Sequence, residues 1–117
     1  MRMWMLNPTL FCRQHLLGQH SELHSLLGTL KKKLKVSGYI KSNCLEITAI
    51  QWYHNQCVEE LLKRNYKHHT PIGNIPDEIL EWYSIYLPIK VDQQKSLNLL
   101  LSRCSQCKSN YERLLNG

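Results

Sequence analysis

An all-α fold is predicted for this chain of 117 residues by three observations. Leu16, Leu23, Leu26, Leu27, Leu30 and Leu34 recur at three- and four-residue steps, the repeat of one helix face. Two further stretches, from Thr48 to about Tyr66 and from Val91 to Leu115, carry apolar residues at the same period. The turn formers fall between these stretches, at Asn7-Pro8, at Ser37-Gly38 and at Pro71, Pro76 and Pro88. The expected architecture is one compact domain over residues 1–117, with three main helices and an irregular proline-containing loop before the last one.

Each element has a local reason. Residues 1–6 read as a short extended lead-in, with Trp4 packing it against the domain. Asn7 can cap a helix and Pro8 is tolerated in its first turn, so the first helix is expected from there to about Lys35, ended by Ser37-Gly38. Residues 39–47 read as a connector, partly extended. In the second helix Ile50, Tyr53, Cys57, Leu61 and Leu62 are expected inward, and Lys63-Arg64 suit its last turn. Residues 67–90 read as a long loop with one turn of helix around Asp77 to Trp82. In the last helix Leu97, Leu100, Leu101, Cys104, Tyr111 and Leu114 are expected inward.

Composition bounds the function. Fifteen basic against nine acidic residues give a net charge of +6, which favours a polyanionic partner, nucleic acid before a membrane surface. No apolar run approaches the roughly 20 residues of a membrane span, and the lead-in is too short for a secretory signal. Five cysteines, an odd number, without such a signal argue for reduced thiols and a cytoplasmic location. There is no glycine-rich phosphate loop and no internal repeat.

One carboxylate stands out. Glu22 is the only acidic residue in the first 45 positions and lies among His15, His20 and His24. On a helix it shares a face with His15, Gly18, Gln19 and Ser25, opposite the leucine stripe. The plain reading of that face is a solvated one. Gly18 costs roughly 1 kcal/mol against alanine inside a helix, which suggests close approach of something to the backbone there.

These residues resemble a known family. Gln14-His15-Leu16, Glu22-Leu23 seven residues after the histidine, and Gly28 six after the glutamate are similar to the first helix of the phage-type pyrimidine-dimer DNA glycosylases. The spacing from Met1 to Glu22 matches that from the family's mature N-terminus to its catalytic glutamate, and Arg2 falls on its basic second residue. Glu60, Leu62, Lys63-Arg64 and Tyr66, and then Ile75-Pro76 with Glu78, resemble later segments. The opening residues through Cys12-Arg13 look most like a shorter, mainly viral branch. The resemblance covers most of the first 90 residues, and the last helix matches poorly.

The resemblance implies a DNA glycosylase with abasic-site lyase activity on damaged double-stranded DNA, with pyrimidine dimers as the leading substrate. Met1 would supply a terminal amine as nucleophile, and Glu22 would act as acid/base and electrostatic group. The bulk of Arg2 is expected to keep Met1 in place. No metal, cofactor or membrane is implied, and a monomer is expected. DNA contacts are expected from Arg2, Arg13, His15, His20, Ser21, His24, Ser25, Lys33, Arg64 and His68, with Lys31, Lys32, Lys35, Lys63, Lys67 and His69 as further basic positions. Ser21 and Ser25 stand where the family has arginines, with His20 and His24 as candidate substitutes. Residues 91–117 contain no counterpart of its aromatic, basic C-terminal segment. Abasic sites and other damaged nucleotides therefore stay open as substrates.

Two other readings remain. One is a basic helical module that binds DNA without catalysis. The other is a zinc-stabilised interaction domain on Cys104-x-x-Cys107, completed by His54-x-x-Cys57. Trp52, Tyr53, Trp82, Tyr83 and Tyr86 are base-stacking candidates, although core packing is the commoner use of such residues.

Overall fold

Helix caps divide the chain more finely than its hydrophobic period does. The structure, a computed structural model, describes residues 1–68 and 70–117. Among them are six α-helices and no strand: α1 (Arg13–Lys31), α2 (Ser37–Lys41), α3 (Ile50–Lys63), α4 (Asp77–Trp82), α5 (Gln93–Arg103) and α6 (Ser105–Asn116). The all-α expectation holds.

The boundaries differ from expectation for local reasons. Asn7 caps only a single 3-10 turn, Pro8–Leu10, by accepting the Thr9 N–H. The chain then extends through Phe11 and restarts at Cys12, whose sulfur accepts the His15 N–H at 3.4 Å. The expected last helix is likewise broken at Cys104, which adopts φ −133° and ψ 109° and caps α6 by accepting the Cys107 N–H. Ser37-Gly38 does not simply end a helix; it opens the short α2, and α1 stops at Lys31. The turns after α1, α2 and α3 close through Lys33, Asn43 and Asn65 at positive φ, a left-handed conformation that asparagine tolerates well.

The leucine stripe does what its period predicts. Leu16, Leu23, Leu26, Leu27 and Leu30 are buried, and α1 packs mainly against α3 through Ile50, Tyr53, Cys57 and Leu61. Leu34 lies past the helix end and is half exposed, and Leu62 and Leu114 also face solvent. Ser96 of α5 and Cys107 and Asn110 of α6 are buried as well.

Residues 1–6 are threaded into the core. Met3, Trp4, Met5 and Leu6 are all buried. The Met3 N–H donates to the Cys44 carbonyl at 2.7 Å, and the Tyr53 hydroxyl accepts from the Leu6 N–H and donates to its carbonyl. Met5 turns the segment at φ 57°, and its carbonyl accepts from Gln93 Nε2. Among the described residues no helix is long and apolar enough to cross a membrane.

Candidate active site

The N-terminal segment lies across the polar face of α1, so that face is not a solvated one. Gln19 is 1% exposed and grips the segment from both ends of its amide. Its Oε1 accepts the Trp4 N–H at 2.7 Å and its Nε2 donates to the Arg2 carbonyl at 2.8 Å. One turn further along α1, Glu22 Oε2 accepts the Arg2 backbone N–H at 3.3 Å. A buried amide with donor and acceptor both paired is a stabilising clamp, since either group left unpaired would carry a desolvation penalty.

This clamp places Met1 beside Glu22. Both line one cleft of about 470 Å³, together with Arg2, His15, Gly18 and Gln19. A Cβ built on Gly18 would meet no atom within 4 Å among the described residues, so no part of the fold requires the glycine, and its bare backbone forms cleft wall. A second cleft, reaching Lys35 and Tyr39, also has Met1 and Arg2 in its lining. The Arg2 guanidinium lies 4.9 Å from the Trp4 ring centroid, a cation–π distance that leaves it at the cleft.

Arg103 is the cleft residue that sequence reasoning missed. It is the last residue of α5, exposed, and it lines the same cleft as Met1 and Glu22. Nothing in its local sequence marks it, because only the packing of α5 and α6 brings it there.

The other expected contacts are distributed unevenly. Ser21 and Ser25 are exposed on α1. Arg13 lies 5.7 Å from the Tyr66 ring and Lys33 lies 5.0 Å from Trp82, both on the surface. Arg64 is engaged by its own chain: Nε pairs with Glu60 Oε2 at 2.8 Å, and Nη2 donates to the Phe11 carbonyl at 2.8 Å and, more weakly, to those of Pro8 and Thr9. Tyr53 and Tyr83 are core residues, whereas Trp52 and Trp82 are 58% and 59% exposed. His69 lies outside the described residues.

His20 and His24 flank Glu22 in sequence but not in space. They project from the other side of α1 and meet His54 of α3 and His68, with neighbouring ring centroids 4.8–5.3 Å apart. Burial, and then the neighbouring His54, His24 and His68, push the His20 pKa down to about 4; burial also lowers His54. His20 is therefore neutral at pH 7 and is no substitute for an arginine.

Cys104 and Cys107 do come together with a histidine, but not with His54-x-x-Cys57. They meet Cys12 and His15 at the start of α1, while His54 turns its Nε2 to His24 Nε2 at 3.1 Å and Cys57 is fully buried. The expected pairing fails because α3 presents His54 to the far side of α1, away from the cysteines of α5 and α6.

The helical fold brings Met1, Arg2, Glu22 and Arg103 to one cleft. Residues 1–74 match the family model described as pyrimidine dimer DNA glycosylase, and the chain belongs to that family. It is accordingly a DNA glycosylase of DNA repair. No curated protein and no solved structure matches it.

Proposed function

We propose that this protein excises damaged pyrimidines, dimers first, from double-stranded DNA and then cleaves the strand at the resulting abasic site, with Met1 and Glu22 as the catalytic pair. The observation that carries this reading is the shared cleft, in which Met1 and Glu22 sit one residue and one hydrogen bond apart through Arg2.

An α-amine suits the nucleophilic role because its ordinary pKa of about 7.7 to 8 leaves a useful fraction unprotonated near neutral pH. Its nitrogen attacks C1′ of the damaged nucleotide while the C1′–N bond to the base breaks and the base leaves with the electron pair. Loss of the amine proton and opening of the C1′–O4′ bond, with O4′ taking a proton, then give an imine. Glu22 stabilises the positive charge that develops on the sugar, then takes the C2′ proton as the 3′-phosphate departs. Water hydrolyses the imine and restores the amine.

Arg2 and Arg103 are the cations positioned to hold phosphates at the cleft, with Lys35 further along and Arg13 and Lys33 on adjoining surface. A distorted lesion is cheaper to unstack, which itself adds selectivity. The test is nicking of ultraviolet-irradiated and abasic plasmid with borohydride trapping, alongside sequencing of the mature N-terminus. A trapped adduct on the Met1 amine is expected, and Glu22→Gln should lower nicking at least about 100-fold while DNA still binds. Trapping that survives acetylation of Met1 would overturn the assignment, and no nicking of either substrate would favour a binding module without catalysis.

A further inference from the structure

We propose that Cys12, His15, Cys104 and Cys107 form a structural zinc site that ties the start of α1 to the start of α6. The two halves of the site repeat one local geometry. Cys12 is the N-cap of α1 with His15 three residues on, and Cys104 is the N-cap of α6 with Cys107 three residues on. In each half the cap sulfur accepts the backbone N–H of the second ligand residue, and the Cys12 N–H donates to Cys107 Sγ at 3.2 Å. All three sulfurs therefore receive a backbone N–H, and two sit at helix N-termini, where a thiolate is favoured. Cysteine is not among the preferred capping residues, so its use at both caps calls for a further role.

The distances fit a tetrahedral ion. Zn–S bonds of about 2.3 Å and Zn–N bonds of about 2.0 Å put tetrahedral edges at roughly 3.8 Å between sulfurs and roughly 3.5 Å between sulfur and nitrogen. Cys104 Sγ and Cys12 Sγ are 3.9 Å apart, and His15 Nδ1 is 3.2 Å from Cys12 Sγ and 3.6 Å from Cys107 Sγ. All four ligand atoms lie within 4.8 Å of one another. Three thiolates and one imidazole are a set that zinc favours in closed structural sites. The ion would fix the His15 ring, and through Cys104 the adjoining Arg103, at the cleft.

A different observation carries a second site. His20 Nε2 and His68 Nε2 are buried without a hydrogen-bond partner among the described residues, and they belong to the group with His24 and His54 whose ligand atoms also lie within 4.8 Å of one another. His54 Nδ1 is held by Asn55 Oδ1 at 3.0 Å, the outer hydrogen bond that orients a ligating imidazole and leaves Nε2 for the ion. Four neutral imidazoles suit a divalent first-row cation such as zinc, nickel or copper.

The full-length protein, purified without chelator, should hold two metal ions per chain by plasma mass spectrometry. Cys104→Ser with Cys107→Ser should remove one, and His24→Asn with His68→Asn the other, while Cys44→Ser removes neither. Two measurements do not depend on a variant that folds. The zinc-edge X-ray absorption of the unaltered protein should show a sulfur shell at about 2.3 Å. After cobalt exchange, paramagnetically shifted imidazole protons should come from five histidines. A shell without sulfur, or a Cys12–Cys104 disulfide, overturns the first site; shifted protons from one histidine alone overturn the second.

Discussion

Gln19 holds Trp4 to α1 through a 2.7 Å hydrogen bond from the Trp4 backbone N–H to Gln19 Oε1. With the reciprocal bond to the Arg2 carbonyl, this side chain anchors the segment that brings Met1 to the cleft shared with Glu22. Gln19→Leu keeps a comparable volume and strands both backbone groups. It should cost about 1–3 kcal/mol per group left unsatisfied and lower nicking more than its loss of stability explains. Urea titration and single-turnover nicking at a temperature where the variant is folded check this; full activity in a folded Gln19→Leu protein would show that the clamp does not position Met1.

Arg103 should act on DNA rather than on the fold, since its side chain is exposed at the cleft. Arg103→Gln is expected to leave the melting temperature within about 3 °C, in keeping with the small effects of surface substitutions. It should reduce the slope of log affinity against log salt by about one unit. Fluorescence anisotropy across a salt series measures it, and an unchanged slope would remove Arg103 from the interface.

Arg64 should behave in the opposite way. Its bonds to Glu60 and to the Phe11 carbonyl hold the extended stretch that feeds α1. Arg64→Met should cost about 2 kcal/mol, the scale of a charge-assisted hydrogen bond, and leave the salt slope of DNA binding unaltered. Chemical denaturation and the same anisotropy series separate the two roles. A changed slope with unchanged stability would restore the DNA contact expected from sequence.

Stability should fall at alkaline pH. Burial pushes the Cys57 thiol up from 9.0 to about 12, and burial also raises the Tyr53 phenol. A pKa raised in the folded state means that the folded protein keeps a proton the unfolded chain releases. The stabilisation is therefore fully present below about pH 9 and is lost as pH climbs toward 12, at up to about 1.4 kcal/mol per pH unit for each such group. Cys57→Ala should be less stable at pH 7, through the cavity it opens, yet show a flatter decline between pH 9 and 10.5. Parallel slopes in thermal melts would show that the thiol does not contribute.

Much of α1 was legible from its leucines, because a 3.6-residue repeat carries both the helix and its buried face. Glu22 was legible as an exception, a single acid in a basic stretch at a recognisable spacing from Met1. The breaks at Cys12 and Cys104 were not, because each rests on a sulfur serving as a helix cap, which propensity does not anticipate. Leu34 is exposed because α1 stops at Lys31, short of the expected end. His20 and His24 were placed near Glu22 by sequence adjacency, whereas successive positions on a helix point in different directions and theirs is the direction of α3.

The amino-acid sequence by itself determined what depends on near neighbours: the helical class, the buried stripe of α1, and the distance along the chain between Met1 and Glu22. Only the tertiary structure decided what stands around them. Arg2 and Glu22 are 20 residues apart, His24 and His54 are 30 apart, and Cys12 and Cys104 are 92 apart. A local periodicity holds no information about such pairs, because the packing of α1 against α3 and of α6 against the Pro8–Leu10 turn sets them. The same packing turns two unremarkable dyads, Cys12 with His15 and Cys104 with Cys107, into one four-ligand cluster beside the cleft.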